Sequence, residues 1–390
     1  MLLKRILVGI VILFLVGVAG YSGFWAGGLL NGDSHQEAGG RTMGTTWSAR
    51  YILDEGSGAT TSEHVQQAIE QALLDVNQSM STYIPNSELM QLNKAPLNIP
   101  VPVSDELFYV AEQAQHVAQL SDGAYDPTIG ALVNLWGFGS VDSRAQQNVT
   151  EAEPNLSVDS DLFNSELVKP ESQAAFLKWM EQSSVTSVPT AEQIDRAKAE
   201  MGYQSLQLDA KNRTITKTKP VFIDLSSIAK GYGVDKVART LEGLGISRYM
   251  VEVGGEIFTR GKKLNGQLWR LAVREPVLEN QINTIVALDN RAIATSGDYL
   301  NYYEVDGVHF SHLIDGRTGY PEQHRLASVA VIADETSLAD AYATMFMILG
   351  DEDGIKLAQE QGIDAWFIYH TGEGFAAHAT GQFERYRLDP

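Results

Sequence analysis

The sequence contains no cysteine among its 390 residues. This absence excludes disulfides, thiolate metal ligands, a cysteine nucleophile and an anchor on a lipid-modified cysteine. Basic residues are also scarce, 29 against 49 acidic ones, so the formal net charge at pH 7 is −20. Nucleic-acid binding needs a basic surface, and we therefore exclude a nucleic-acid partner. The charge still permits a phosphate-containing ligand that a metal ion helps to hold.

Charged residues are absent from residues 6–32. Lys4 and Arg5 precede this apolar stretch, which is about long enough to span a bilayer. Basic charge at its start favours an N-terminus in the cytoplasm and the rest of the chain outside. We expect residues 1–32 to form an uncleaved signal anchor in the membrane, with a removed signal peptide as the alternative.

The remaining chain predicts one α+β domain. Residues 33–40 indicate a polar linker, and the domain would span residues 41–390. Within it, acidic residues outnumber basic ones at residues 141–187, which are also rich in Asn, Ser, Gln and Pro, and this composition predicts a solvated insertion. Many short strands in meander order beside several helices favour antiparallel sheets with flanking helices over a doubly wound sheet.

Apolar periodicity and turn residues predict the elements of this domain. Predicted strands lie at residues 45–53, 205–209, 214–217, 221–223, 248–253, 268–274, 284–290, 302–305 and 327–332. Predicted helices lie at residues 64–76, 107–120, 190–201, 228–244 and 337–349, with a short one near 173–182 and a closing αβ unit. The helix at 190–201 would begin on a capping box formed by Thr190 and Gln193.

The densest run of unusual local sequence lies at residues 222–235. A predicted apolar strand delivers Asp224 to a turn of small residues, and a helix begins just beyond. Free backbone N–H groups at such a junction suit an anionic ligand. Lys230 could neutralise a phosphate or orient a ring oxygen. A helix-capping aspartate and a surface lysine are the alternative interpretation.

A second cluster lies at residues 337–345, in a predicted core helix. Asp340 and Thr344 are four residues apart, so on a helix they face the same way. A carboxylate and a hydroxyl supply oxygen ligands that suit a hard cation such as Mg²⁺. A charged aspartate among apolar neighbours is costly unless it is paired or bound to metal. A buried aspartate that is hydrogen-bonded to backbone is the alternative interpretation.

Residues 311–321 form a third cluster, in which glycines make a tight turn. His312 and Asp315 lie at the end of a predicted strand, where either could act as a general base. Asp315 could instead pair with Arg317 across the turn. Upstream, residues 122–139 are rich in glycine and aromatic residues. Such a segment can wrap a planar ring, although ordinary turn chemistry explains it equally well.

Together these segments resemble the ApbE family of FAD:protein FMN transferases over residues 41–385. The matching motifs are TMGTT (42–46), STYIPNSE (81–88), GAYD (123–126) with LWGFG (135–139), DLSSIAKGYGVD (224–235), VEVGG (251–255), ATSG (294–297), HLIDGRTG (312–319) and ADAYAT (339–344). Any one of these motifs is weak evidence, but their order and spacing follow the family. The insertion at 141–187 is longer than the family pattern.

The resemblance implies an ApbE-like, T-fold-like single catalytic domain with FAD in a central cleft. It implies a Mg²⁺ site made by the main-chain carbonyl of Ser227 with Asp340 and Thr344. The family often has alanine at the position of Ser227, a difference that a main-chain ligand tolerates. The residues that would line the flavin site are Met43, Tyr83, Ala124, Tyr125, Asp126, Asp224, Lys230 and Ile314.

The implied reaction is Mg²⁺-dependent transfer of FMN from FAD to a threonine hydroxyl of a partner protein, with release of AMP. Mg²⁺ on the pyrophosphate would neutralise charge on the leaving AMP, and positioning would do much of the rest. Lys230 would act on the phosphate, and either His312 or Asp315 could take the hydroxyl proton. The family's usual acceptors are subunits of the sodium-translocating NADH:quinone reductase and of the RNF complex. With the N-terminal segment, this predicts a catalytic domain on the periplasmic side of a bacterial inner membrane.

Two other classes of protein stay open. An exported FAD-binding protein or FAD pyrophosphatase would yield FMN and AMP without an acceptor. A solute-binding or assembly protein would keep the fold without the chemistry, which the presence of Asp224, Lys230 and Asp340 argues against. Residues 54–60 also resemble the motif that these enzymes modify in their partners. A flexible turn is the favoured interpretation of that stretch, and self-flavinylation of Thr60 is the alternative.

Overall fold

The computed structural model describes residues 35–53, 60–139, 188–273, 284–297, 302–305, 308–372 and 374–388. The predicted anchor at 1–32, the predicted insertion at 141–187 and its short helix lie outside the described residues. Among the helices of the described ranges, none combines the length and the apolar character that a membrane crossing requires.

An eight-stranded sheet forms the centre of the fold. The strands in chain order are β1 (Gln36–Thr42), β2 (Thr45–Tyr51), β3 (Val101–Pro102), β4 (Leu206–Asp209), β5 (Thr214–Lys217), β6 (Tyr249–Val253), β7 (Glu256–Arg260), β8 (Trp269–Val273), β9 (Thr284–Leu288), β10 (Arg291–Gly297), β11 (Tyr302–Val305), β12 (Val308–Ser311), β13 (Leu326–Ala333), β14 (Asp364–Thr371), β15 (Gly374–Ala379) and β16 (Arg387–Leu388). The large sheet has the order β1-β2-β6-β7-β10-β13-β14-β15, and its neighbouring strands are all antiparallel. The predicted α+β class with antiparallel sheets is confirmed.

The helices in chain order are α1 (Ser62–Met80), α2 (Glu88–Lys94), α3 (Asp105–Leu120), α4 (Gly130–Leu135), α5 (Ala191–Ala199), α6 (Ser226–Gly243) and α7 (Thr336–Gln361). Helix α1 buries Val65, Ile69 and Leu73, which follow one another at the spacing of one helix face. Helix α5 begins on the predicted capping box, with both Thr190–Gln193 bonds present. The periodic segments of the sequence therefore form the helices that they predict.

Helices α1, α6 and α7 cover one face of the large sheet. Trp47 of β2 shares a buried cluster with Ile69 of α1 and Leu241 of α6. The opposite face packs against a small sheet with the order β16-β9-β8, where Val286 and Ile293 belong to one buried cluster. The core thus has three layers, and the helical layer holds both polar clusters that the sequence places on helices.

Strand β1 differs from the predicted linker at 33–40, because the strand begins at Gln36. Gly39 and Gly40 give this stretch the composition of a linker, yet Gly40 lies under the indole of Trp47 on the paired strand, where an added Cβ would be 2.7 Å from Nε1. The missing side chains therefore make room for an aromatic ring. The predicted strand at 221–223 is wrong, since only Phe222 forms an isolated bridge, to Ile129.

Helix α7 is bent at Gly350, whose φ of 80° and ψ of −176° are non-helical. The predicted helix at 337–349 and the closing αβ unit correspond to its two halves and β14. The predictions did not include β10, which lies in the middle of the large sheet. Ala292 and Ala294 of this strand are buried where α7 packs on the sheet. Alanine is a weak apolar signal in a sequence, so the strand was missed.

Candidate functional site

Helices α6 and α7 cross in close contact at Gly231. A Cβ on Gly231 would lie against the carbonyl of Thr336, 2.7 Å from its carbon, and 2.8 Å from the Cα of Ser337. The helices also exchange hydrogen bonds. The carboxylate of Asp235 on α6 accepts from the backbone N–H groups of Thr336 and Ser337, at 2.8 and 2.9 Å. In return, Asp340 on α7 accepts from the N–H of Gly231 at 2.9 Å.

Two of the predicted metal ligands meet at this crossing. In a regular α-helix the N–H of Gly231 donates to the carbonyl of Ser227, four residues before it. Asp340 accepts from that same N–H, so its carboxylate lies close to the Ser227 carbonyl. Thr344 follows Asp340 by one turn on α7 and is half-buried. Residues 227 and 340 belong to distant stretches of sequence, and the fold brings them together.

A buried cluster of charge surrounds Asp340. The Nζ of Lys230 lies 2.5 Å from Oε1 of Glu256 and 3.8 Å from Oδ1 of Asp340. Burial and the charge of Asp340 raise the pKa of Glu256 to about 8, although Lys230 opposes the shift. Burial also raises the pKa of Asp340. Burial would lower the pKa of Lys230, but the two carboxylates outweigh it and raise that pKa.

This cluster fits a hard divalent cation. Two buried carboxylates share one ammonium group, so when both carboxylates are ionised one negative charge has no counter-ion within the cluster. Within the described residues, Oε2 of Glu256 is buried without a hydrogen-bond partner. No three His, Cys, Asp or Glu residues of the described ranges are grouped as a metal site. The predicted set is of another kind, with one carboxylate, one hydroxyl and one carbonyl oxygen, all of which suit Mg²⁺.

Residues 122–139 form a second wall beside the start of α6. The hydroxyl of Ser227 donates to the hydroxyl of Tyr125 at 2.9 Å. The N–H of Asp224 donates to the carbonyl of Pro127, and the Asp224 carboxylate accepts from the N–H of Ser226 in the first turn of α6. The N-cap residue of α6 is Leu225, and no side chain makes a capping bond there, so the helix-capping aspartate of the alternative interpretation is not observed. Asp224 lies next to the predicted metal ligand at 227.

Asp126 is buried beneath this wall. Its carboxylate accepts from the N–H and hydroxyl of Thr128, at 2.8 and 2.6 Å, and from the N–H of Tyr203 at 2.9 Å. Burial raises the pKa of Asp126, although these donors oppose the shift. The carboxylate holds the 122–139 segment to the chain around residue 203, and in this way it shapes the wall.

Met43 and Tyr83 lie at more open positions. Met43 has a φ of 48° in the two-residue turn between β1 and β2, and its Cε would lie 3.1 Å from a Cβ on Gly233 of α6. Tyr83 is 66% exposed. Partial desolvation of the hydroxyl and then the charge of Asp224 raise the pKa of Tyr83. These two residues offer apolar surface to a planar ring.

His312 belongs to a loop that is tied to the same wall. The N–H of Gly316 donates to the carbonyl of Ala124 at 2.9 Å, and the indole N–H of Trp136 donates to the carbonyl of Gly319 at 2.9 Å. His312 is half-buried, with its ring centroid 6.3 Å from that of Phe138 in an edge-on contact. The loop therefore brings an imidazole to the aromatic part of the 122–139 segment.

Asp315 is engaged within its own turn. Its carboxylate accepts from Nε and Nη2 of Arg317, at 3.1 and 2.7 Å, and from the Arg317 N–H at 2.8 Å. This is the pairing that the sequence offered as the alternative to a catalytic base. Ala124, Tyr125 and Ile314 are at most 2% exposed. Their side chains therefore form a packed floor beneath the site.

The predicted site did not include Glu256 or assign a role to Asp235. Glu256 follows Gly254 and Gly255, which form the two-residue turn between β6 and β7 with φ values of 62° and 106°. A Cβ on Gly254 would lie 3.3 Å from Cδ of Lys230. An acidic residue directly after a Gly-Gly turn is the signal that could have identified Glu256.

Residues 43–367 match the model of the ApbE family. The FAD:protein FMN transferase of Haemophilus influenzae is 36% identical over 352 residues, which cover 89% of this chain and 90% of that protein. The FAD:protein FMN transferase of Escherichia coli K12 is 34% identical over 351 residues, with coverage of 89% and 88%. The solved flavin transferase ApbE of Vibrio cholerae superposes with a TM-score of 0.73 at 34% identity, covering 91% of this chain and 99% of that one. The apo flavinyl transferase ApbE of Pseudomonas stutzeri gives 0.74 at 32% identity, covering 92% and 98%.

Proposed function

Because the chain belongs to the ApbE family and is an FAD:protein FMN transferase, we propose that it attaches FMN to a threonine hydroxyl of its partner, with Mg²⁺, and releases AMP. The observation that carries this proposal is the bond from the Gly231 N–H to Asp340, beside the carbonyl of Ser227. It supports a Mg²⁺ site made by that carbonyl with Asp340 and Thr344. When bound there, Mg²⁺ would neutralise charge on the diphosphate of FAD.

The protein's own groups bind and orient the substrate. Lys230 is a cation that Glu256 holds in place beside Asp340, and it would attract a phosphate oxygen of FAD. Met43 and Tyr83 would hold the flavin ring by apolar contact at the open side of the site. Asp224, at the start of α6, would orient polar edges of the ligand. The buried Ala124, Tyr125, Asp126 and Ile314 would keep this surface in place.

His312 is the better candidate for the group that takes the proton of the threonine hydroxyl. Asp315 already accepts four hydrogen bonds from Arg317, one from the backbone N–H and three from the guanidinium group, so both of its oxygens are occupied. An imidazole can accept a proton and pass it on near neutral pH, which suits a general base. The loop bond between Gly316 and Ala124 would hold the imidazole at the edge of the flavin site.

The acceptor protein would be exported or membrane-bound. The apolar residues 6–32 after Lys4 and Arg5 support a membrane anchor that places the catalytic domain in the periplasm of a bacterium. Acceptors of the corresponding kind are subunits of the sodium-translocating NADH:quinone reductase or of the RNF complex. The transferred FMN would be joined to the threonine through a phosphoester bond.

Incubation of the full chain with FAD, Mg²⁺ and a candidate acceptor domain tests the proposal. In-gel flavin fluorescence and intact mass of the acceptor report transfer, and chromatography reports AMP. We expect one FMN on the acceptor and an equal amount of AMP, with neither product in EDTA. An acceptor with alanine in place of its threonine is the control and should stay unmodified. Release of FMN and AMP without acceptor labelling would favour an FAD pyrophosphatase instead.

A further inference from the structure

Lys230 occupies an uneven position between its two carboxylates. Its Nζ is 2.5 Å from Oε1 of Glu256 but 3.8 Å from Oδ1 of Asp340. Both carboxylate side chains are more than nine-tenths buried, whereas Lys230 is one-third exposed. The ammonium group is therefore in contact with Glu256 and stands off from Asp340 by more than a hydrogen-bond distance.

The backbone around Glu256 fixes this arrangement. Glu256 is the first residue of β7 and pairs with Val253 of β6 across the Gly254–Gly255 turn. A Cβ on Gly254 would lie 3.3 Å from Cδ of Lys230 and 3.4 Å from Oε2 of Glu256. The Gly254–Gly255 turn thus lies against the ion pair, and this contact restricts the direction of the Lys230 side chain.

We propose that Glu256 is a positioning residue that holds the Lys230 ammonium group away from Asp340, so that the Asp340 carboxylate is left to bind a divalent cation. The inference rests on the proposed Mg²⁺ site. A lysine in contact with Asp340 would compete with the cation for the same oxygens, because both are drawn by the same negative charge in a buried setting. Glu256 supplies a second carboxylate, and the ammonium group of Lys230 pairs with it instead of with Asp340.

The variant Glu256→Gln tests this role, since it keeps the shape of the side chain and removes its charge. Of the two described carboxylates that lie within 4 Å of the Lys230 ammonium group, Asp340 is then the one that can carry a charge. The readout is Mn²⁺ affinity of the full chain, measured by electron paramagnetic resonance without FAD or acceptor. We expect the Kd for Mn²⁺ to rise by about tenfold. Far-UV circular dichroism and a urea transition check that the variant is folded.

The same substitution made in a Lys230→Met variant separates the positioning role of Glu256 from a direct effect of its charge on the cation. In Lys230→Met there is no ammonium group to hold, so adding Glu256→Gln should raise the Kd by no more than about threefold. The double variant also removes both members of the ion pair, so it stays informative if Glu256→Gln alone fails to fold. Asp351→Asn is the matched control, because Asp351 is a buried carboxylate that pairs with Arg325 beyond the bend in α7. Its Kd should equal that of the wild type.

The outcomes are distinguishable from a failure of the proposed function. A wild-type chain that binds no Mn²⁺ would overturn the metal site and this inference with it. A wild-type chain that binds Mn²⁺, with Glu256→Gln equally tight, would overturn the role of Glu256 alone. Equal effects of Glu256→Gln in both backgrounds would show that the residue acts through its own charge and would also overturn the positioning role.

Discussion

Replacing Gly231 with alanine perturbs the helix crossing on which the site is built. The new Cβ would lie 2.7 Å from the carbonyl carbon of Thr336 and 2.8 Å from the Cα of Ser337. Both are backbone atoms of α7, so no side-chain rotation relieves the clash. The helices must separate by roughly 1 Å to restore an ordinary van der Waals distance. That movement lengthens the bond from the Gly231 N–H to Asp340, now 2.9 Å.

The expected cost has two contributions. Overpacking of a tight core contact costs about 1–3 kcal/mol. Loss of a buried hydrogen bond to a charged group costs about 1.5–3 kcal/mol. The higher helix propensity of alanine offsets about 1 kcal/mol of this. We therefore expect Gly231→Ala to lower the free energy of unfolding by about 1.5–5 kcal/mol and to impair FMN transfer in the protein that still folds.

Urea denaturation followed by far-UV circular dichroism measures the stability, and in-gel flavin fluorescence of an acceptor measures transfer. Gly243→Ala is the control on the same helix, because a Cβ there meets nothing within 4 Å. It should leave stability unchanged or raise it by up to about 1 kcal/mol. A Gly231→Ala protein as stable and as active as the wild type would refute the close crossing.

Further predictions concern single side chains. Asp340→Ala should abolish Mg²⁺-dependent transfer while circular dichroism stays native, and wild-type transfer rates would remove Asp340 from the metal site. His312→Gln should lower the transfer rate by about 10²-fold or more at saturating FAD, and a rate within threefold of wild type would point to another base. Tyr83→Ala should weaken FAD binding in a fluorescence titration while the urea midpoint stays unchanged, because the side chain is 66% exposed; unaltered FAD affinity would exclude the contact. Burial raises the pKa of Asp126. The carboxyl group of Asp126 therefore keeps its proton to higher pH in the folded state than in the unfolded chain. Its contribution to stability should fall as the pH rises from about 4. The difference in unfolding free energy between wild type and Asp126→Asn, measured between pH 4 and 7, should shrink accordingly, and an increase would contradict the assigned direction.

Local sequence predicted the elements on which the site lies. Apolar periodicity predicts a helix at 228–244, and α6 spans Ser226–Gly243. The same reasoning places Asp340 and Thr344 on one face of a helix, and α7 carries both. These predictions succeed because helix spacing and capping depend on residues that are near one another in sequence.

Contacts between distant elements could not be predicted from the same information. The bond from Gly231 to Asp340 joins residues 109 positions apart, and the Lys230–Glu256 pair joins β7 to α6. Local patterns carry no record of which helix face meets which strand. Strand β1 was not predicted for a related reason. Glycine has a low β-strand propensity, and the side chain that packs over Gly40 belongs to Trp47 on another strand.

Anomalous diffraction from crystals soaked with Mn²⁺ would locate the bound cation itself. We predict a single strong peak in the site, bounded by the carboxylate of Asp340, the hydroxyl of Thr344 and the main-chain carbonyl of Ser227. A peak elsewhere, with Asp340 still bonded to the N–H of Gly231 and no density beside residue 227, would contradict the proposed metal site.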